Sequence, residues 1–439
     1  MSSTWDELTW GPWPGDAEVP HEGPDAVTRE RLGLPATLRP VPGALQRPVF
    51  DPALKQYPKA MRAGEPLFAS AETGEQWYAA RRRAVDHVLA AIAQSRWAEH
   101  LVLRGSVLLR AWYGDAAREP GDLDFVVVPR SWQMAEHRTR EMLDGIAQAA
   151  EAMSDEAHLP DDVQLNAAGA VSEDIWTYDR VPGRRLVLPW KAEGLPQGTV
   201  QLDFVFNEHL PAEPELTEIP RYDGGEPALL QAASPELSLA WKVMWLLDDI
   251  YPQGKDLYDA WLLAQDTRLG YRLLVEAMVA GDPARVRHLP TLADVGRLEV
   301  DWEEFHKEYP GLPGTGEDYH YRLTSALTPT FTSESDLPEQ EYVRRAELLR
   351  PRTAMYEILR AERGIDGALR AIADDRIPIA EGVVIANELL GRGPSEVAAT
   401  LDQVLRAYES AGSGWIGYLR RNPDEQAKIL ADLRDGSGV

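Results

Sequence analysis

The sequence of 439 residues contains no cysteine, and only seven of its residues are lysine. The absence of cysteine excludes disulfides, thiolate zinc sites and cysteine nucleophiles. No stretch approaches the roughly 18 consecutive apolar residues that a membrane-spanning helix needs. The N-terminal stretch MSSTWDELTW has neither the basic start nor the apolar core of a signal peptide. We therefore expect a cytoplasmic protein without a membrane partner.

Positive charge is scarce as well. The chain has 45 Lys and Arg against 71 Asp and Glu, which gives a formal net charge of -26. Broad, non-specific binding to nucleic acid depends on exposed Lys and Arg, so this balance disfavours it, but it permits a local basic cleft. The candidates for such a cleft are Arg104, Arg110, Arg118, Arg184 and Arg185. The three adjacent arginines at 81–83 are predicted to point mostly to solvent, because they cannot share one face of a helix.

Several common catalytic signatures are also absent. The chain contains no GxGxxG, GxxxxGK[ST], GxSxG or HExxH pattern. Rossmann, P-loop, hydrolase-elbow and zinc-protease interpretations therefore have no support.

The length accommodates two or three domains. Residues 1–70 are rich in Pro, Gly and Trp, and we expect an irregular arm packed on the domain surface. Residues 71–268 show strand and helix patterns and predict an α/β domain. Residues 269–439 are predicted to be mainly helical, with helices interrupted at Pro351, Gly364 and Pro378.

The most informative stretch runs from Leu101 to Val128, LVLRGSVLLRAWYGDAAREPGDLDFVVV. It predicts a strand, a turn at Gly105-Ser106, a short helix, a loop and a second strand. A Gly-Ser turn that opens a helix presents free N–H groups and a hydroxyl, which is a natural cradle for phosphate. Taken alone, the pair is more simply explained as a structural turn with a serine cap.

Acidic residues mark the second strand of this stretch. Asp122 and Asp124 are two residues apart, so both carboxylates face the same side and repel each other unless a cation or proton lies between them. Asp203 is a lone acid in a predicted apolar strand at 199–206, where an unpaired burial would be costly. Oxygen-only ligands of high charge suit Mg²⁺. An edge-strand charge pair is the alternative, which the following FVVV disfavours.

Two later helices add further candidates. Ser234 and Pro235 predict the start of a helix that carries Lys242. A second helix begins near Gly254 with the sequence GKDLYD, which includes Lys255, Asp256 and Asp259. Taken one at a time, Lys242 is explained as a lysine at the core boundary, and Asp256 and Asp259 as acids on a solvated helix face. The order of these residues along the chain favours a shared site.

The complete order is an apolar strand with Gly-Ser, then DxDF, a third Asp, a lysine on a helix, and KDLYD. This order resembles the AbiEii/AbiGii toxin branch, which includes MenT-like toxins, of the polymerase-β-type nucleotidyltransferase superfamily. The resemblance covers about residues 75–265. It implies an α/β (α+β) nucleotidyltransferase core with a mixed sheet. It also implies transfer of a nucleoside monophosphate from an NTP to an acceptor hydroxyl, with release of pyrophosphate.

The resemblance further implies partners and residue roles. The protein would be the toxin of a type IV toxin–antitoxin or abortive-infection system, countered by an antitoxin and acting on the 3′ ends of tRNA. The implied ligands of one or two Mg²⁺ ions are Asp122, Asp124 and Asp203. The implied contacts to the NTP phosphates are Gly105, Ser106, Lys242 and Lys255. The implied catalytic set is Asp122, Asp124, Asp203, Lys242 and Asp256, with Asp203 as the base and Asp259 in support.

The sequence departs from the family pattern at three points. A single Gly precedes Ser106, Pro120 replaces a serine two residues before the DxD, and the arginine often found before the KD pair is missing. Two alternatives remain open. One is transfer to a protein side chain or to a small molecule such as a cationic aminoglycoside, which an acidic cleft would suit. The other is a catalytically silent NTP-binding scaffold.

Overall fold

The computed structural model of the protein describes residues 4–435 except 9, 12, 157–162, 178–180, 251, 333–335 and 413–414. The chain divides into two compact units. The first comprises Met1–Glu208, Ala212–Thr267 and Glu299–Leu323, and the second comprises His209–Pro211, Arg268–Leu298 and Thr324–Val439. No helix among the described residues is long and apolar enough to span a membrane.

The first unit is built on a mixed sheet, as the sequence predicted. The strands of the described residues are, in chain order, β1 Pro48–Phe50, β2 Met61–Ala63, β3 Leu101–Arg104, β4 Leu123–Val127, β5 Gln164–Leu165, β6 Val171–Thr177, β7 Val181–Lys191, β8 Gly198–Val205, β9 Glu215–Ile219 and β10 Ala228–Ala232. Strands β1 and β2 form a separate pair. The others form an eight-stranded sheet of order β5-β7-β8-β4-β3-β10-β9, with β6 also paired to β7. The β4–β8 and β3–β10 pairs are parallel.

Helices account for most of the remaining chain. The α-helices of the described residues are, in chain order, α1 Ala26–Leu32, α2 Ala71–Gln94, α3 Ser106–Tyr113, α4 His137–Glu156, α5 Pro235–Asp248, α6 Gly254–Ala264, α7 Tyr271–Gly281, α8 Leu292–Val295, α9 Trp302–Glu308, α10 Gly316–Thr332, α11 Glu341–Asp374, α12 Ile379–Leu389, α13 Val397–Ser410, α14 Ile416–Arg421 and α15 Pro423–Asp435. Helix α5 begins as predicted, since the Ser234 side chain accepts a hydrogen bond from the N–H of Leu237 and Pro235 is its first residue.

Strands β3 and β4 lie in the middle of the sheet, and their residues are mostly buried. All four residues of β3 are buried, and Phe125 of β4 stacks on Phe204 of β8 with ring centroids 5.5 Å apart. Strand β3 runs antiparallel to β4, so its last residue, Arg104, pairs with Asp124. The turn that follows β3 therefore lies beside the start of β4, where the acidic residues are.

The second unit is helical, as predicted, and it differs from the predicted pattern at one proline. Helix α11 continues through Pro351, although proline normally interrupts a helix. Leu348 and Leu349 before the proline and Tyr356 after it are all buried in the core of this unit, so packing on both sides holds the helix together. The predicted break at Gly364 is confirmed, because this residue has φ 71° and ψ 177°.

Candidate active site

Two neighbouring acidic residues and a third that is distant in sequence come together at strands β4 and β8. The parallel register of these strands places Asp124 directly beside Asp203, and Asp122 stands two residues earlier. One carboxylate oxygen from each residue lies within 4.8 Å of the others. Among the described residues this is the one acidic or histidine-containing group close enough to share a metal ion. The structure thus brings together the three residues that the family resemblance implied as metal ligands.

The carboxylates of the acidic cluster disfavour one another's ionisation. Burial, together with the neighbouring charges of Asp122 and Asp203, raises the pKa of Asp124 to about 8, against the opposing effect of Arg104 and Lys255. Burial also raises the pKa of Asp203, despite its bonds to Arg185. A cation between the carboxylates would relieve this repulsion, and without one a proton is retained. The cluster therefore has the electrostatic character of a cation site.

The Gly105-Ser106 turn lies against this cluster. Gly105 has φ 87°, and a Cβ atom at this position would stand 2.6 Å from Oδ2 of Asp124, so only glycine fits here. Gly105 caps the start of α3 without a side-chain hydrogen bond. The buried Oγ of Ser106 has no hydrogen-bond partner among the described residues. Ser106 is therefore not the helix cap, and its hydroxyl is available to a ligand.

The later candidates form a buried ion-pair network. Nζ of Lys242 lies 2.7 Å from Oδ1 of Asp256 and 2.9 Å from Oδ2 of Asp259. Arg118 completes the network, with its Nη2 3.0 Å from the same Asp259 oxygen. Arg118 is thus an additional cation of the site. Sequence reasoning missed this role, because the residue precedes its partner by more than a hundred positions. Lys255 instead lines the cavity that contains Asp122.

The matching family model is the nucleotidyl transferase AbiEii toxin of type IV toxin–antitoxin systems, and it covers residues 87–329. This span is more than half of the chain and includes every residue discussed so far in this site. The chain belongs to the AbiEii nucleotidyltransferase toxin family. It is thus a nucleotidyltransferase of a toxin family, which confirms the resemblance found in the sequence.

Two further comparisons complete the picture of this AbiEii-family enzyme. The solved structure of MenT4, a nucleotidyltransferase toxin of Mycobacterium tuberculosis H37Rv, is similar at 18% sequence identity with a TM-score of 0.40. The similarity covers 60% of this chain and 87% of the MenT4 chain. No curated protein matches the sequence.

The loop that leads into the DxD strand of the AbiEii-family enzyme is held by arginines of α2. Arg81 donates to the Pro120 carbonyl at 2.9 Å, and Arg82 binds the Glu119 carboxylate at 2.6 Å. Arg81 is also paired with Glu65 and is only 7% exposed. The prediction that this arginine run points mostly to solvent is therefore wrong for Arg81 and Arg82. The carboxylates that neutralise them come from distant segments, which local periodicity cannot show.

The five arginines proposed for a basic cleft each have a carboxylate partner. The ion pairs are Arg104–Glu208, Arg110–Asp115, Arg118–Asp259, Arg184–Asp174 and Arg185–Asp203. Their charges are compensated within the chain, so these residues do not form an uncompensated basic surface. Any such surface must come from other residues.

The N-terminal arm also reaches the acidic cluster, although the family model begins only at residue 87. Arg185 donates from Nη1 to Oδ2 of Asp51 in the arm, and from Nε and Nη2 to the two oxygens of Asp203, all at 2.8 Å. Glu173 of β6 accepts hydrogen bonds from the N–H groups of Ala36 and Thr37. The arm is thus fixed beside the site by buried polar contacts. No local sequence signal marks Asp51.

Proposed function

We propose that this AbiEii-family enzyme transfers a nucleoside monophosphate from an NTP to the 3′-terminal hydroxyl of tRNA in a Mg²⁺-dependent reaction. The observation that carries the proposal is the contact between the acidic cluster and the Gly105-Ser106 turn. Nucleotidyl transfer requires a phosphate-binding turn and a cation site that lie close to each other.

The donor set fits Mg²⁺. Asp122, Asp124 and Asp203 offer only carboxylate oxygens, which Mg²⁺ prefers together with water and substrate phosphates. The raised pKa of Asp124 is consistent with the same assignment, because it reflects a buried carboxylate beside two other acids. One or two bound ions would neutralise the triphosphate and favour deprotonation of the acceptor hydroxyl.

The protein's own groups would then orient the reactants. The free N–H groups at the start of α3 and the hydroxyl of Ser106 would donate to triphosphate oxygens, with Lys255 as a nearby cation. The acceptor oxygen would form a bond to the α-phosphorus while the bond to the bridging oxygen breaks, and pyrophosphate would leave. Asp203, held in place by Arg185, would accept the hydroxyl proton.

Lys242 and Asp256 would help to hold these groups in place through the buried ion-pair network that they form with Asp259 and Arg118. The ammonium group of Lys242 already binds two carboxylates, so a direct bond to phosphate requires that one of these partners be released. We propose that the pair fixes α6 against α5 and thereby positions Lys255 next to the acids. This is a positioning role, and it differs from the direct phosphate contact that the resemblance implied for Lys242.

The experiment is incubation of the purified protein with Mg²⁺, bulk tRNA and each of the four α-labelled NTPs. We expect label on the 3′ end of tRNA with at least one nucleotide and none with Asp122→Asn. Ser106→Ala should raise the KM for the NTP about tenfold, because a hydrogen bond to a charged group is worth about 1.5–3 kcal/mol. Its thermal stability should be unchanged, since the hydroxyl has no partner to lose.

The other outcomes distinguish the alternatives. Label on protein or on an added aminoglycoside, with none on RNA, would contradict the tRNA assignment and leave the chemistry intact. NTP binding without label on any acceptor would support the scaffold interpretation instead. The antitoxin is tested separately, by asking whether a co-expressed gene neighbour restores growth to cells that produce the protein.

A further inference from the structure

A cavity of about 220 Å³ lies beside the loop that leads into the DxD strand. Its walls come from α2, α3, that loop, the end of β9 and the residues that follow β9. They include seven apolar residues, which are Val85, Leu89, Val107, Ala111, Pro120, Ile219 and Pro220. Pockets for drug-sized ligands measure about 300–1,000 Å³, so this cavity has room for one ring system and not for a whole nucleotide.

The cavity is close to both parts of the candidate active site. Val107 directly follows Ser106 of the turn, and Pro120 stands two residues before Asp122. Consecutive Cα atoms are about 3.8 Å apart, so the chain places walls of the cavity within about 8 Å of the turn and of the DxD pair. Among the described residues, Lys255 is not part of these walls and lines the cavity that contains Asp122 instead. A nucleotide whose phosphates lie at the turn, the acids and Lys255 therefore leaves this cavity available to its base.

A buried carboxylate in the walls carries a charge without a cationic partner. Asp86 of α2 is 6% exposed, lines the cavity and forms no ion pair with any residue that the structure describes. The arginines of the walls are paired with other acids, as Arg81–Glu65, Arg82–Glu119, Arg110–Asp115 and Arg221–Asp223. Burying a charge in this way costs stability. Burial raises the pKa of Asp86 to about 6, so the carboxylate is still charged at pH 8.

The carboxylate of Asp86 can accept further hydrogen bonds. A carboxylate has about four lone pairs for this purpose. Oδ2 accepts from the Tyr222 N–H at 2.8 Å, and the backbone of Asp223 also donates to the side chain. The remaining lone pairs are available to a donor in the cavity.

The chemistry of a carboxylate favours one of the four bases. Guanine presents two adjacent donors, the N1–H and the N2 amino group, which match the two oxygens of a carboxylate. In adenine and cytosine a ring nitrogen that accepts hydrogen bonds stands beside the amino group, and in uracil two carbonyl groups flank the N–H. These acceptors would face the negative charge of Asp86 and be repelled.

An aromatic side chain completes the cavity. The side chain of Tyr222 lines the cavity and is 50% exposed, and the guanidinium group of Arg82 lies 5.1 Å from its ring centre. Bases stack on such rings regardless of their identity. Tyr222 would therefore contribute affinity, while Asp86 would determine which base is bound.

We propose that this cavity binds the base of the incoming NTP, that Asp86 accepts hydrogen bonds from guanine there, and that GTP is consequently the preferred nucleotide. The inference rests on the proposed function, since it names the nucleotide of that reaction. The acceptor RNA is the other source of guanine, and the test separates the two.

The test compares Asp86→Asn, Tyr222→Ala and Tyr222→Phe with the control Glu75→Gln, all in the full-length protein at pH 8. Glu75 is an exposed acid of the same helix and does not line the cavity. Steady-state labelling is measured with each NTP varied at saturating tRNA, and then with tRNA varied at saturating GTP. Calorimetric titration with GMP, AMP, CMP and UMP measures binding without an acceptor. Melting temperatures are recorded for every variant.

We expect the wild type to have its lowest KM for GTP and to bind GMP most tightly. Asp86→Asn should raise the KM for GTP about tenfold, because a hydrogen bond to a charged group is lost, and should change the KM for tRNA less than twofold. Its preference for GMP over AMP should also decrease, since an amide offers the donor and acceptor that match adenine. A higher melting temperature together with a higher KM for GTP would not result from a purely structural role of Asp86.

The tyrosine variants test the stacking contact. Tyr222→Ala should raise the KM for GTP about tenfold, whereas Tyr222→Phe keeps the ring and should match the wild type, as should Glu75→Gln. The hydrogen bond from the backbone of residue 222 to Asp86 is preserved in both tyrosine variants.

Other results would overturn the inference. A wild type that prefers a different NTP, or an unchanged KM for GTP in Asp86→Asn, would contradict it and leave the proposed function intact. An increase confined to the KM for tRNA would assign the guanine to the acceptor and contradict the assignment to the nucleotide. A wild type that labels no acceptor would contradict the proposed function, while the titrations still decide the inference: selective GMP binding that Asp86→Asn weakens supports it, and equal binding of the four nucleotides contradicts it.

Discussion

Arg185 and Asp203 face each other across strands β7 and β8 and share two hydrogen bonds of 2.8 Å. The third guanidinium nitrogen of Arg185 binds Asp51 of the N-terminal arm at the same distance. One buried cation therefore neutralises an acid of the candidate site and an acid that lies 152 positions earlier in the chain. Burial opposes ionisation of Asp51, yet the charge of Arg185 keeps the pKa of Asp51 below its usual value.

The first prediction concerns this arginine. Arg185→Gln removes the cation from two buried carboxylates, so we expect a loss of about 3–5 kcal/mol in the free energy of unfolding at pH 8. The loss should be smaller at pH 5. Without the arginine, the folded-state pKa of Asp51 rises above its unfolded value, and that of Asp203, which burial already raises, rises further. The protonated forms that are then favoured become less populated as pH rises, so the stability lost increases with pH. Denaturant unfolding at the two pH values measures the difference.

Arg184→Gln is the matched control for that experiment. Arg184 is the preceding residue of the same strand, but its partner Asp174 has a side chain that is 54% exposed. We expect a change below about 1 kcal/mol, as is usual for exposed ion pairs. Equal losses in the two variants would show that strand disruption, and not the buried charge, determines the stability.

The second prediction separates activity from stability at the DxD strand. Asp124→Asn should lower nucleotidyl transfer on the order of a thousandfold, because a ligand of the proposed cation site is lost. The same change should raise the melting temperature in metal-free buffer at pH 7, since it removes an acid whose pKa burial and the two neighbouring acids raise to about 8. Such a trade of stability for function is common at active sites.

Mg²⁺ provides the internal check. The wild-type melting temperature should rise when Mg²⁺ is added, because the ion binds only the folded state, and that of Asp124→Asn should respond much less. Asp144→Asn, at an exposed position of α4, should behave like the wild type in both buffers. A variant that is less stable than the wild type without metal would argue against charge repulsion in this cluster.

Local patterns predicted the parts of this site that depend on nearby residues. The alternation of Asp122 and Asp124 fixed their common orientation, and the Ser-Pro start placed Lys242 on α5. The polymerase-type order then added Asp203, which became an immediate neighbour of Asp124 through strand pairing. These features follow from strand periodicity and helix capping, which few neighbouring residues determine.

The long-range electrostatic partners were not predictable in the same way. Arg118 pairs with Asp259, and Arg82 pairs with Glu119, only in the folded chain. The continuation of α11 through Pro351 likewise depends on packing against other helices and not on the local preference of proline. Only the three-dimensional structure therefore shows which arginines are paired with a carboxylate.

The third prediction tests the fit of the Gly105-Ser106 turn. Gly105→Ala should abolish transfer and lower stability, because the new methyl group meets Oδ2 of Asp124 at 2.6 Å in a backbone conformation that alanine disfavours. Gly43→Ala is the matched control, since Gly43 also has a positive φ, of 76°, but has no atom within 4 Å of the added carbon. The control should lose about 1–2 kcal/mol of stability from backbone strain alone and keep full activity. Equal activity loss in both variants would contradict the proposed contact between turn and acid.

The last prediction concerns a buried acid outside the catalytic set. Asp86 of α2 is 6% exposed and accepts a hydrogen bond from the Tyr222 N–H, and burial raises its pKa to about 6. Since the folded-state pKa lies above the unfolded value of about 3.9, the neutral form is favoured by folding, and stability is lost as pH rises from about 4 through 6. Asp86→Asn keeps a hydrogen-bond acceptor without the charge, so it should stabilise the protein by up to about 3 kcal/mol at pH 8 and change little at pH 4. Melting curves at both pH values decide this, and an equal shift at pH 4 and pH 8 would show that packing, not ionisation, controls the effect.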